Sequence, residues 1–154
     1  MGTKLVRPVI EPHVVTSPYG YRILNGKTEL HEGIDYVSGT DNRVVAIGDG
    51  RVNTDMDDYD HAKRWKDRRH SVGNYVILDV VINGVLYHFR YCHLIENYVS
   101  PGQEVKMGEV IGIYGDVGYS FGAHLHIDCY NADWTGKLDP TPIILAGLKE
   151  SGII

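Results

Sequence analysis

Five residues carry the chemistry that this chain of 154 residues offers. His124 and His126 stand one residue apart in Gly122-Ala-His-Leu-His-Ile127. On a strand, side chains two apart share a face, with Cα atoms about 6–7 Å apart. Two imidazoles so placed suit two nitrogen ligands, or one ligand beside one proton-handling group. Alone the pair is a weak signal, and its value depends on what else converges on it. His31 and Asp35 frame His31-Glu-Gly-Ile-Asp35, whose composition argues for extended chain rather than helix. Straight extension would hold their Cα atoms about 13 Å apart. Ligands of one metal ion need donor atoms about 3–3.5 Å apart, given bonds of about 2.0–2.2 Å. The chain must therefore bend between them, and Gly33 is the residue that permits it. His93 ends an apolar strand face. Two histidines and one carboxylate make a catalytic zinc set, with a fourth position left for water. The other two histidines would then handle protons or stabilise an oxyanion. The donor types favour zinc over calcium or magnesium, which prefer oxygen ligands. Spacing alone leaves open which member of the His-x-His pair is a ligand.

The elements that must position these residues are mostly strands. Eighteen glycines, eleven tyrosines and short Val/Ile runs between turn signals favour β structure. The clearest unit is a hairpin. Tyr75–Ile82 and Val85–His93 flank Asn83-Gly84, the signature of a type I′ turn. The two-residue turn sets Ile82 opposite Val85, Val80 opposite Tyr87, Leu78 opposite Phe89, Val76 opposite Tyr91 and Asn74 opposite His93. That face is apolar and ends in His93, while Asp79, His88 and Arg90 mark a wetter face. Val14–Arg22 leads in and turns at Ser-Pro-Tyr-Gly, and Ile23–Glu29 reads as a polar loop. Further short strands are expected at 43–48, 51–54, 104–106 and 110–114, and a brief helix near Thr141–Lys149. Strands follow strands, so the expected fold is mainly β, an antiparallel twisted sheet with little helix.

Composition sets the class. Hydrophobic residues make up 43% and charged residues 23%, the balance of a globular domain. The net charge of −5 argues against a nucleic-acid binder. No apolar run approaches the about 20 residues needed to span a bilayer. The first residues lack the apolar core and small-residue cleavage site of a secretory signal, so the chain reads either as a product made in the cytoplasm or as a domain cut from a larger protein. The length suits one domain over 1–154, expected to be monomeric. A charged stretch at about 55–70 reads as a surface insertion. Its acidic half lacks the glycine and distant glutamate of a calcium loop. His13, His61, His70 and His88 read as surface histidines. Cys92 and Cys129 read as free thiols pointing away from the faces of the neighbouring histidines.

At a larger scale the sequence resembles the lysostaphin/LytM-type zinc metallopeptidases, which cut peptidoglycan. The resemblance rests on Ser17-Pro-Tyr-Gly-Tyr-Arg22, His31-x-Gly-Ile-Asp35-Tyr, Val45-Ala-Ile-Gly-Asp-Gly50-Arg-Val, Gly73-Asn-Tyr-Val, Tyr91-Cys-His93-Leu, Pro101-Gly-Gln-x-Val-Lys-x-Gly-x-x-Ile-Gly112, Gly118-x-Ser-x-Gly-x-His124-Leu-His126 and Leu138-Asp-Pro140. These follow the family's order and spacing over most of the chain. The resemblance implies an antiparallel sheet carrying a substrate groove. It implies one zinc ion per chain on His31, Asp35 and His126, with His93 and His124 as the catalytic pair. It also makes Arg22 a candidate for binding substrate. The expected activity is hydrolysis of peptide bonds in a stem peptide or crossbridge of the bacterial cell wall, as in a phage lysis or virion enzyme. A wall-binding or activator module with structural zinc is the alternative. Two departures bear on cut-site preference. Val117-Gly-Tyr-Ser-Phe-Gly-Ala-His124 stands where the family has Thr-Gly-x-Ser-Thr-Gly-Pro-His, putting bulky Tyr119 and Phe121 at the groove rim. The charged 55–70 stretch is also longer than the usual link.

Overall fold

A computed structural model of the chain describes residues 2–57, 72–117 and 122–154. Strands β1 (His13–Ser17), β2 (Gly20–Leu24), β3 (Lys27–His31), β4 (Ile34–Ser38), β5 (Arg43–Val45) and β6 (Gly50–Met56) form the first half. The second half holds β7 (Asn74–Ile82), β8 (Val85–Asn97), β9 (Glu104–Val105), β10 (Val110–Tyr114), β11 (Leu125–Asn131), β12 (Lys137–Leu138) and helix α1 (Thr141–Glu150). The main sheet runs β1-β4-β11-β8-β7-β6-β9, with β12 on β11 and β10 bridging β8 and β5; β2 and β3 pair separately. Every strand pair among the described residues is antiparallel. The mainly-β architecture with one short helix matches the sequence expectation.

Alternation explains the core. Val76, Leu78, Val80 and Ile82 of β7 share a face with Phe89 and Tyr91 of β8 and with Leu125, Ile127 and Cys129 of β11. Leu5, Val9, Ile144 and Leu148 belong to the same cluster, the last two from α1. Full burial of such a side chain contributes about 1.5–3 kcal/mol. The buried Tyr91 hydroxyl donates to the Val45 carbonyl and accepts from the Ile47 N–H, so its polar end is satisfied.

The β7–β8 hairpin keeps the expected register from Ile82↔Val85 to Val76↔Tyr91. It then slips. Asn74 pairs with Leu94 rather than with His93. His93 is the extra residue of a bulge, with φ of 64° and its N–H bonded to the Val72 carbonyl at 2.6 Å. In regular alternation His93 would follow Phe89 and Tyr91 into the core. The bulge instead places it among the histidines of the opposite, open face, so the apolar face does not end in His93.

Ile23–Glu29 is not a loop. β2 and β3 pair from Gly20↔His31 to Leu24↔Lys27 around Asn25-Gly26, with φ of 53° and 76°. This is the same Asn-Gly turn chemistry that defines β7–β8. Its apolar side chains, Tyr21 at 80% and Ile23 at 76% exposure, lie outside the core, so no burial pattern announces the strands. The charged stretch also begins later than the sequence indicates, because Asp55 and Met56 belong to β6 and pair with Val76 and Tyr75. The rest of that stretch, with His61 and His70, lies outside the described residues, as do Tyr119 and Phe121.

Candidate metal centre

The open face of the sheet gathers all five histidine and aspartate candidates. β3 ends at His31, β4 brings Asp35, and β11 sets His126 directly opposite Asp35. Three donor atoms form a small triangle. His31 Nε2 lies 3.2 Å from His126 Nδ1 and 3.3 Å from Asp35 Oδ1, and His126 Nδ1 lies 2.9 Å from the same oxygen. A tetrahedral ion with bonds of about 2.0–2.2 Å spans ligand edges of about 3.3–3.6 Å. The donor set and the edges fit zinc after only a small spreading.

Hydrogen bonds outside the triangle fix which nitrogen faces it. His31 Nδ1–H donates to the Pro18 carbonyl at 2.9 Å, which leaves the Nε2 lone pair turned to the triangle. His126 Nε2–H points at Asp128 Oδ2, 3.3 Å away, which leaves Nδ1. Burial raises the Asp35 carboxyl, but the adjoining His126 and His31 imidazoles outweigh it and hold the group well below the usual carboxylate range.

Gly33 acts through space rather than through flexibility. Its φ is not in the left-handed region. A Cβ there would fall 2.5 Å from His126 Cε1, 2.6 Å from its Nε2 and 2.7 Å from the Ile127 carbonyl oxygen. The imidazole of a proposed ligand lies across the backbone of Gly33.

His93 and His124 stand beside the triangle, with ring centroids 4.8 Å apart; His93 lies 6.1 Å from His126. His93 Nδ1–H donates to the Val117 carbonyl at 2.8 Å, and His124 Nδ1–H to the Gly122 carbonyl at 2.9 Å. Each ring therefore presents Nε2 as its acceptor. His124 Nε2 is 3.7 Å from Asp35 Oδ1. Burial, reinforced by the neighbouring His124 and His126, pushes His93 down to about 3, which keeps it neutral. Arg22 is engaged by its own fold: it donates to Glu29 at 3.0 Å and Ser17 at 2.9 Å, and lies 3.7 Å from Asp35 Oδ2.

Three residues of the site have no place in the sequence reading: Asp128, Lys137 and, as a site residue, Arg90. Asp128 is fully buried. Its carboxylate takes a two-pronged contact from Arg90, at 3.0 and 2.6 Å, and lies 3.4 Å from Lys137 Nζ. Burial raises this carboxyl, yet His126 and Arg90 hold it far below the ordinary range. Alternation places Asp128 on the face of His126, but Arg90 comes opposite it only through the β8–β11 register, which sequence does not display. The wetter face of the hairpin is thus the site face. His88 on it is buried rather than surface-exposed. Cys92 also lies on it, in regular alternation with His88 and Arg90, its sulfur within 4.8 Å of donor atoms of His126 and Asp128, and the bulge brings His93 to the same side. Burial pushes that thiol well above its normal range, so it stays protonated. Cys129 points into the core, and both cysteines are free.

Comparison with known proteins identifies the family. Residues 29–140 match the profile of Peptidase family M23. The chain is 36% identical over 142 residues to the DD-carboxypeptidase/endopeptidase Mpg of Neisseria meningitidis serogroup B, covering 88% of this chain and 29% of that protein. It is 33% identical over 125 residues to the peptidoglycan DD-endopeptidase ShyA of Vibrio cholerae, covering 79% of this chain and 26% of that one. The chain thus spans less than a third of either relative. Among solved structures, a mutant catalytic domain of the prophage-encoded M23 protein EnpA from Enterococcus faecalis superposes with a TM-score of 0.67 at 26% identity, over 88% of this chain and 95% of that one. The catalytic domain of lysostaphin from Staphylococcus simulans gives 0.59 at 29%, over 86% and 90%. With the family profile spanning most of the strands and all five candidate histidine and aspartate positions, the chain belongs to peptidase family M23 and has its lysostaphin-type fold.

Proposed function

We propose that the chain is a zinc-dependent endopeptidase that hydrolyses peptide bonds of bacterial peptidoglycan. The observation that carries this reading is the donor triangle of His31, Asp35 and His126 with two further imidazoles presenting Nε2 beside it. His31 Nε2, Asp35 Oδ1 and His126 Nδ1 would hold the ion. Bound zinc supplies a water of lowered pKa and polarises a carbonyl. His93 and His124 would divide the remaining work: one accepts the water proton on Nε2, and the other, when it carries a proton at Nε2, stabilises the developing oxyanion or delivers that proton to the leaving amine. The Val117 and Gly122 carbonyls hold each ring by Nδ1 and turn its Nε2 toward the site. Peptidoglycan as substrate is supported by the relatives named for that activity. The prophage-encoded neighbour supports a phage-type lysis or wall-penetration role.

A non-catalytic module would have no use for His93 and His124 oriented beside the ligands. The reading is tested on purified walls. The chain with zinc should release new amino groups and crosslink-derived muropeptides, identified by mass spectrometry. Walls that bind the chain yet yield no fragments would refute it. Release of single amino acids alone would turn the assignment to a carboxypeptidase, the other activity in the name of the Neisseria relative.

Asp128 orients the ligand His126 in this scheme. Asp128→Asn keeps the shape and removes the charge, so zinc affinity should fall about 10- to 100-fold. Arg90 and Lys137 lose their shared counterion, which should cost about 3 kcal/mol of stability. Chelator competition and urea unfolding measure the two effects separately. Unchanged zinc affinity in the folded variant would remove Asp128 from the role.

A further inference from the structure

The open sheet face continues past the metal ligands. His126, Asp128 and Tyr130 follow one another on the same side of β11, opposite Cys92, Arg90 and His88 of β8. At the far end, the turn between β11 and β12 folds Trp134 back over the sheet. Its indole stacks on the His88 imidazole, with centroids 3.7 Å apart and planes 10° apart. It meets the Tyr130 ring at 5.4 Å and 48°.

This indole is held in place although 44% of the residue is exposed. Trp134 has φ of 64°, a conformation that costs a bulky residue energy. The turn enforces it: Trp134 N–H donates to the Asn131 carbonyl at 3.0 Å, Gly136 N–H to Asn131 Oδ1 at 3.1 Å, and Asn131 Nδ2 to Thr135 Oγ1 at 2.8 Å. Beneath the indole, His88 is fixed by Asp79 at 2.6 Å and the Ala132 carbonyl at 3.0 Å. One indole face is spent on His88, so the exposed area lies on the outer face. Arg90 and Lys137 flank the Tyr130 ring at 5.5 Å each, but both are turned to Asp128. What the shelf presents outward is therefore aromatic rather than ionic.

An exposed indole face, with the Tyr130 ring tilted 48° beside it and the neighbouring cations committed to Asp128, suits the apolar C–H face of a pyranose ring. Its position suits one as well. Tyr130 is four residues along β11 from His126, about 13 Å. Four residues of extended peptide span about the same length. A sugar joined to a short stem peptide reaches the shelf when a bond near the far end of that peptide lies at the metal ligands. We propose that Trp134 and Tyr130 form a subsite for a pyranose ring of the glycan that carries the scissile peptide. This rests on the endopeptidase reading and deepens it, since the enzyme would read glycan as well as peptide.

The test has two arms. The first titrates the ¹⁵N-labelled chain with a β-1,4-linked N-acetylglucosamine tetramer and follows the indole N–H resonances. The chain has two tryptophans, Trp65 and Trp134, separated by a Trp65→Phe variant. The Trp134 resonance should move in the millimolar range and the Trp65 resonance should not. The second arm compares Trp134→Gly, which accepts the positive φ, with the unmodified chain. On crosslinked muropeptides bearing sugars, its kcat/KM should fall about tenfold through KM, the loss of about 1.4 kcal/mol of binding. On the same crosslinked peptides stripped of sugar, the two proteins should agree within about twofold. A motionless Trp134 resonance, or equal loss on both substrates, overturns the subsite. If the unmodified chain cleaves neither substrate, the endopeptidase reading fails while the oligosaccharide titration still decides the shelf. If the glycine variant does not fold, that titration decides alone.

Discussion

His31→Ala should remove the metal and the activity together, whereas substitution of His93 should remove activity and leave the metal. His31 is one corner of the donor triangle. Without it His126 Nδ1 and Asp35 Oδ1 face each other alone at 2.9 Å, and a two-donor remnant does not retain zinc against a chelator. His93 gives no donor to the triangle; its ring sits 6.1 Å from that of His126. Losing a positioned acid–base group costs about 10²- to 10⁴-fold in rate. Because His93 has φ of 64°, the replacement should also include asparagine, which accepts that conformation more readily than alanine. Zinc content and release of muropeptides are measured on each variant. One zinc per chain and no cleavage is expected for His93→Ala and His93→Asn, and neither zinc nor cleavage for His31→Ala. Full activity in a zinc-free His31→Ala chain would sink the ligand assignment.

Gly33→Ala is the smallest change with a comparable effect. The added methyl would lie 2.5 Å from the His126 ring and 2.7 Å from the Ile127 carbonyl. Neither neighbour can retreat cheaply. The ring is tied to Asp35 and Asp128, and the carbonyl belongs to the β4–β11 ladder, where Ile127 pairs with Ile34. Either the imidazole rotates and leaves the triangle, or the ladder opens. Zinc affinity should drop by about two orders of magnitude or more, with about 1–3 kcal/mol of overpacking strain. Competition against a chelator of known affinity reads the first effect and thermal melting the second. Wild-type zinc binding in Gly33→Ala would show that the ring has room the contacts deny.

The limits of sequence reading here have particular physical causes. The Asn83-Gly84 turn fixes its hairpin residue by residue, because two-residue turns admit one register. That certainty ends at the bulge, since an inserted residue at φ of 64° leaves no mark in an alternation pattern. Asn25-Gly26 carries the same turn signal, but its strands bury little, so no alternation supports it. Convergence of His31 and Asp35 follows from the distance that one ion demands, and the structure supplies the convergence. The reason for Gly33 differs: clearance for an imidazole takes the place of backbone freedom. Asp128, Arg90 and Lys137 stay invisible as a group because their meeting depends on the β8–β11 and β11–β12 pairings. Trp134 is likewise one aromatic in a polar turn until the fold lays it on His88.

The β4–β11 ladder also bears on the order in which the chain folds. His126 and Asp35 are 91 residues apart in sequence, whereas β7 and β8 meet across a two-residue turn. Closing the longer loop costs more entropy before any contact rewards it, so the hairpin forms early and the β4–β11 pairing late. The donor triangle straddles that late pairing. A nascent or partly unfolded chain therefore has His93 on its hairpin but no place to hold the ion. On the endopeptidase reading, hydrolysis would therefore await completion of the fold.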